Sequence, residues 1–266
     1  IAGRTPNPCL RCNSNTKIPD LLHRGRAMGA DHIATGHYAR VRRDGARTQL
    51  LRAVDDRKDQ SYFLWGIPSD VLDRMLFPVG ELTKTEVRDR ARELGLATAE
   101  KPESQEICFV PTDDYTDFLA DRLGADHPAL RPGRMVKPDG ATIGEHDGYA
   151  RYTVGQRKGL GGGFPRRLYV IETRPATNEV VVGDADRLDR RDVTLGDLNW
   201  LEAPPARDDR VAVRLRHGAP LVAATVRRRS PDTLELALGT PQRAITPGQS
   251  GAVYTDEVLL GGGRIR

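Results

Sequence analysis

Near residue 108 the spacing of apolar residues changes, and no single repeating architecture can accommodate both halves. Upstream, Ile18, Leu21, Leu22 and Met28 recur at helical intervals, with Gly29 placed to cap the end. Residues 32–35 read as a short strand stopped by Gly36, and residues 38–41 and 49–53 as a hairpin around Asp44-Gly45. Residues 58–65 open another helix and residues 69–75 a further short one. The strongest helix spans 83–94, with Thr83 as N-cap, Glu86 completing a capping box and Gly95 after its end. Downstream, one amphipathic helix over 113–123 gives way to short alternating segments punctuated by glycine at 140, 144, 148, 155, 159 and 161–163. Strands are expected at 168–173 and 179–183, then from Val193 onward at 211–215, 221–227, 234–238 and 251–254. That cadence predicts a small C-terminal β-barrel or sandwich.

A chain of 266 residues that changes texture in this way needs more than one core. Apolar residues make up 38% and charged residues 29%, and no run approaches the roughly eighteen apolar residues of a membrane span. Residues 1–5 lack the pattern of a secretory leader, so the expectation is a cytoplasmic protein with reduced thiols and no membrane partner. With 41 basic against 37 acidic residues, the net charge of +4 permits a nucleic-acid partner without requiring one.

The chain has only three cysteines: Cys9 and Cys12 in Pro6-Asn7-Pro8-Cys9-Leu10-Arg11-Cys12-Asn13, and the remote Cys108. An odd number excludes a framework of complete disulfide pairs. Sulfur transfer or redox work fits a C-x-x-C turn plus a distant thiol. The alternatives are a zinc site completed by a histidine, three inert thiols, or a thioredoxin-like reductase, which lacks its usual preceding βαβ context here. Pro6 and Pro8 stiffen the approach, and Asn7 and Asn13 can bond locally, which suggests a loop presenting its thiols. A helix beginning after that loop, together with Arg11 and Lys17, would lower the thiol pKa.

Three other segments carry chemistry. Gly36 follows a strand and would let a nucleotide approach the backbone; His37 beside it either contacts substrate or caps the strand. Lys58-Asp59-Gln60 joins a phosphate-binding cation to groups able to read a base edge, or is a solvated helix start. Residues 151–160 with Arg166 and Arg167 mix aromatic, basic and glycine residues, as an RNA-backbone surface does.

Seven segments, beginning at Thr5, Ala34, Lys58, Gly80, Ser104, Tyr152 and Pro247, together resemble the tRNA-specific 2-thiouridylases, in that family's order and across the whole chain. The resemblance implies ATP-dependent 2-thiolation of the wobble uridine (position 34) of tRNAs for Lys, Glu and Gln. ATP, with Mg2+, would adenylate uracil O2, and a cysteine persulfide would deliver sulfur to C2. By position, Cys108 would bear the persulfide and Cys12 would be the nucleophile that closes a disulfide with it. Cys9, where the family has cysteine or aspartate, would be auxiliary. Asn7, Pro8 and Cys9 would line the base. Lys58, Asp59, Gln60, His37, Gln249, Arg214 and Leu215 would meet the tRNA, and Gly36 would contact ATP. No resident metal is implied. A cysteine desulfurase or sulfur-relay protein would supply the sulfur. Persulfides are acidic enough to be anionic near neutral pH, and the base must leave its stack to reach them.

The implied fold is a remnant of an α/β nucleotide-binding domain (adenine nucleotide alpha hydrolase-like, of the PP-loop kind) over 1–108. An α+β central domain at 109–190 and a C-terminal β-barrel at 191–266 complete this multidomain chain. The family's Ser-Gly-Gly-x-Asp-Ser loop has no counterpart in these 266 residues. The expectation is therefore an N-terminally truncated chain, with poor ATP retention and a first sheet that exposes apolar edges. The alternative function is a tRNA-binding fragment without independent catalysis.

Overall fold

A computed structural model of the chain describes residues 2–45, 47–102, 108, 110, 115–161, 164 and 166–266. The residues flanking Cys108 in its motif (104–107 and 109), the start of the helix expected at 113, and Gly162-Gly163 lie outside the described residues.

The α/β part begins with α1 (Pro8–Cys12), which passes through a π-turn (Asn13–Lys17) into α2 (Ile18–Ala27). The chain is thus helical from 8 to 27, not a loop at the cysteines. Asn7 and Pro8, read from sequence as loop residues, are the N-cap and first residue of a helix, where proline's fixed φ and missing N–H cost nothing. Next come β1 (Ile33–Ala34) and the hairpin of β2 (Ala39–Asp44) with β3 (Arg47–Arg52). The helix expected at 58–65 is only a 3-10 turn, Ser61–Leu64, because the Asp59 carboxylate takes the Ser61 N–H and holds residues 59–60 out of helical geometry. After α3 (Ser69–Leu72), β4 (Met75–Leu76) pairs in parallel with β1, where the sequence had suggested only helix. Ile33 and Met75 point inward, whereas Ala34 and Leu76 are exposed. Helix α4 (Lys84–Glu93) has the expected Thr83–Glu86 capping box.

The central part holds α5 (Tyr115–Leu123), β5 (Gly133–Val136), β6 (Thr142–His146), β7 (Tyr169–Arg174) and β8 (Glu179–Gly183). Its sheet order is β6-β5-β8-β7, with β5 and β8 parallel, over a core of Met135, Val170, Val180 and Val182.

The C-terminal part comprises β9 (Asp189–Trp200), β10 (Arg210–Arg214), β11 (Val222–Arg229), β12 (Thr233–Arg243), β13 (Ser250–Thr255) and β14 (Val258–Ile265). They pair antiparallel in the order β13-β10-β11-β12-β9-β14, and β13 pairs with β14, so the six strands close into a barrel. Alternate residues face inward, for example Val222, Ala224 and Val226 opposite Leu234, Leu236 and Leu238. Glycines 261–263 belong to β14 because a Cβ there would meet Asn199 O at 2.2 Å, Gly251 O at 2.5 Å or Gly196 O at 2.6 Å.

The barrel and the α/β part are not separate bodies. Val258 of β14 pairs with Leu51 of β3, so the N-terminal hairpin extends the barrel sheet. One core cluster unites Ile18, Tyr62, Leu64, Ile67 and Met75 with Leu201, Ala252, Tyr254 and Leu259 from the barrel. Asn199 seals the join by donating from Nδ2 to Trp65 O (2.7 Å) and Ile67 O (2.9 Å). Among the described residues no helix is long and apolar enough to cross a membrane.

Candidate active site

The cysteine helix is fixed at its start, along its length and from outside. Asn7 Oδ1 accepts the Cys9 N–H at 3.1 Å, capping the first turn. Leu10 is buried between Cys9 and Cys12, and Asn13 Nδ2 donates to Phe63 O at 3.4 Å. Thr5, leading into the helix, donates its N–H to Pro247 O at 2.9 Å, while Gln249 Nε2 donates to Thr5 O at 2.9 Å. Gly248 has φ +93°, and a Cβ on it would come within 2.9 Å of Thr5 N, so the barrel loop can lie this close only as glycine. A cleft of about 170 Å³ separates Asn7, Leu10 and Arg11 of this segment from Asn199, Ser250 and Arg264 of the barrel.

Cys9 is exposed, Cys12 half-buried and Cys108 exposed, and all three are free thiols. Three residues of an α-helix advance about 4.5 Å and nearly complete a turn, so Cys9 and Cys12 lie on one face. Cys108 lies near enough for its ionisation to bear on that of Cys9. The Cys9 thiol is pushed up from its ordinary value, first by partial desolvation, then by the Cys108 and Cys12 thiolates, with Lys17 opposing. A lowered pKa was the expectation from sequence. For Cys9 it is corrected, because desolvation and two neighbouring acids outweigh one lysine and the start of the helix. Among the described residues no group of three or more His, Cys, Asp or Glu side chains has the arrangement of a metal site.

Lys17 links this helix to the end of β1. Its charge also acts on His37, whose pKa is pushed down to about 4, chiefly by burial and then by Lys17. His37 is therefore neutral at physiological pH, with Nδ1 held 2.9 Å from Thr35 Oγ1 and its ring set edge-on to Phe77. Between them Gly36 is exposed, and a Cβ there would touch nothing within 4 Å. Open backbone just past a parallel strand is where a nucleotide fits in α/β sheets.

Lys58-Asp59-Gln60 docks beside this strand end. Gln60 Oε1 accepts the Tyr38 N–H at 3.0 Å, and Gln60 N donates to Tyr38 O at 2.8 Å. Lys58 is half-buried. Asp59 is interior: its carboxylate accepts from Ala53 N (3.2 Å), Ser61 N (3.1 Å), Arg52 Nε (3.5 Å) and Arg214 Nη1 (2.6 Å). Arg214 is buried at the end of β10, over the Tyr254 ring at 5.8 Å, and Leu215 belongs to the barrel core. The side chains of Asp59, Arg214 and Leu215 are thus turned into the protein, where the Asp59–Arg214 pair joins the α/β part to the barrel and Leu215 packs within the barrel.

The basic segment at 151–167 gathers with a residue that sequence reasoning did not single out. Arg243, at the end of β12, stacks over Tyr169 at 4.2 Å, and the Tyr169 hydroxyl is held below its usual pKa first by Arg243 and further by Arg157 and Arg167. No local pattern marks Arg243, because its neighbours come from another domain.

Comparison with known proteins adds the following. Residues 1–112 match the family described as the tRNA methyl transferase HUP domain, 116–184 the tRNA methyl transferase PRC-barrel domain, and 190–265 the aminomethyltransferase beta-barrel domain. The chain is 45% identical over 269 residues to the tRNA-specific 2-thiouridylase MnmA of Carboxydothermus hydrogenoformans, covering 100% of this chain and 73% of that protein. It is 48% identical over 278 residues to the protein of that name from Solibacter usitatus, covering 100% of this chain and 74% of that one. The Acidithiobacillus ferrooxidans protein of the same name is 47% identical over 266 residues, again with 100% of this chain and 75% of the relative covered.

Proposed function

This chain belongs to the tRNA-specific 2-thiouridylase family, and from that premise we propose that it replaces uracil O2 with sulfur at the wobble uridine (position 34) of tRNAs for Lys, Glu and Gln. The observation that carries this reading is the similarity to 2-thiouridylases along the whole chain, with Cys9 exposed and Cys12 half-buried one turn apart on α1 and Cys108 also an exposed free thiol.

In this reading Cys108 receives a persulfide from a cysteine desulfurase or sulfur-relay protein. ATP enters as a substrate with its Mg2+, beside Gly36, and turns uracil O2 into part of an AMP leaving group. The terminal persulfide sulfur bonds to C2 as the C2–O2 bond breaks. Cys12 thiolate then attacks Cys108 Sγ, and the sulfur–sulfur bond breaks with its electron pair on the uridine sulfur. The products are 2-thiouridine and a Cys12–Cys108 disulfide.

Asn7, Pro8 and Cys9 flank the base in this scheme. Lys58, Gln60, Gln249 and neutral His37 border the RNA. Asp59 and Arg214 serve as positioning residues, since their ion pair holds the Lys58–Gln60 segment on the barrel, and Leu215 supports Arg214 from the barrel core. A reducing cytoplasm suits the thiols.

The test is reconstitution with unmodified tRNA, ATP, Mg2+ and a persulfide donor, followed by nucleoside mass spectrometry. The expected result is 2-thiouridine that requires both ATP and donor and disappears in Cys12→Ser and Cys108→Ser. Thiolation that survives either substitution refutes the assignment. Tight tRNA binding without any 2-thiouridine favours a binding role instead.

A further inference from the structure

The third thiol has no step in that scheme, yet it stands within one helical turn of the nucleophile. We propose that Cys9 is the resolving thiol: it attacks Cys12 of the Cys12–Cys108 disulfide, moves the bridge to Cys9–Cys12 and frees Cys108 for the next persulfide. This rests on the reading that each thiolation leaves a Cys12–Cys108 bridge.

Helix geometry makes the second bridge possible. With a rise of 1.5 Å per residue and a Cα radius of about 2.3 Å, positions three apart have Cα atoms about 5 Å from one another. Disulfides span about 4.4–6.8 Å between Cα atoms, so α1 needs no unwinding to close Cys9 onto Cys12. Leu10 is buried and Arg11 exposed, which leaves Cys9 and Cys12 as the pair that shares a face. Cys9 and Cys108 are both exposed, so both the attacking and the departing sulfur are accessible.

The electrostatics give the exchange its order. While Cys12 and Cys108 are free, their ionisation opposes that of Cys9. Joining them in a disulfide removes both charges, whereas Lys17 continues to favour the Cys9 thiolate. The bridge thus removes two of the influences that oppose ionisation of Cys9, while partial desolvation remains. In that attack the Cys9–Cys12 bond forms, the Cys12–Cys108 bond breaks, and the electron pair leaves on Cys108 Sγ. No oxidant is consumed; the oxidised pair only changes place. A dithiol or low-molecular-weight thiol later reduces Cys9–Cys12.

The experiment runs one round of thiolation without added reductant on the full chain and on Cys9→Ser. Samples are acid-quenched, free thiols alkylated, and bridges mapped by mass spectrometry. The expected result is a Cys9–Cys12 bridge with alkylated Cys108 in the parent, at least tenfold over Cys12–Cys108, and accumulated Cys12–Cys108 in Cys9→Ser. A persistent Cys12–Cys108 bridge with alkylated Cys9 in the parent overturns the exchange while leaving the thiolation reading in place. Absence of Cys12–Cys108 in Cys9→Ser overturns both.

Discussion

Replacing Asp59 by Asn tests how the α/β part is joined to the barrel. Asp59 and Arg214 Nη1 meet at 2.6 Å with side chains 0% and 5% exposed, and Arg214 Nε has no hydrogen-bond partner among the described residues. The substitution keeps the shape but leaves a guanidinium inside the protein without its counter-charge. Breaking a buried pair from one side costs about 3–5 kcal/mol. With a urea m-value of about 3 kcal/mol/M, the midpoint should fall by about 1–1.7 M. Arg214→Met should cost less, about 2 kcal/mol, because Asp59 keeps Arg52 and the N–H groups of Ala53 and Ser61. The double variant removes both charges and should recover about 2 kcal/mol or more relative to the sum of the singles. Tryptophan fluorescence is a suitable readout, since Trp65 lies in the shared core. Additive singles, with coupling under about 0.5 kcal/mol, would refute the claim that this ion pair forms the junction.

Further measurements reach other parts of the site. His37 titrates near 4 in the folded protein and near 6.5 unfolded, so its contribution is fully present above pH 6.5 and is lost as the pH falls toward 4. Urea midpoints should reveal an acid-side loss of about 3 kcal/mol that is much reduced in His37→Gln. Gly36→Ala should leave the melting temperature within about 2 °C, as open surface positions do, yet weaken ATP binding measured by calorimetry. Gly80→Ala should be disrupted in circular dichroism, because its Cβ would lie 1.6 Å from Ala39 O. Iodoacetamide should label Cys9 slowly at neutral pH and faster in the Cys12→Ser, Cys108→Ser double variant, and Lys17→Ala should slow it, since the neighbouring thiolates raise the Cys9 pKa and Lys17 lowers it.

Local chemistry made much of this molecule legible. The Thr83–Glu86 box, the Asp44-Gly45 hairpin and the alternation in β11 and β12 each declare themselves within a few residues. The misreadings share a cause: the deciding partner lies elsewhere or the signal is double-valued. Asn7 and Pro8 suit a turn as well as a helix start. Two-residue β4 is too short to show a period. Asp59 looks solvated until Arg214 arrives from the barrel. The candidate site could be nominated from sequence only as a set of residue types, because thiols, a glycine after a strand and a histidine beside it each have few uses. Which of them face inward depended on tertiary contacts that no window of sequence contains.

The shared core also sets a timetable for the newborn chain. Leu64, Ile67 and Phe77 leave the ribosome long before Tyr254 and Leu259, which cover them. The interval from Phe77 to Leu259 is 182 residues, and at about 5–20 residues per second it lasts roughly 9–36 seconds. Throughout that wait Leu64, Ile67 and Phe77 lack the barrel side of their core. Chaperone demand during synthesis should therefore fall on the segment that holds Leu64, Ile67 and Phe77, and be relieved once Leu259 has emerged.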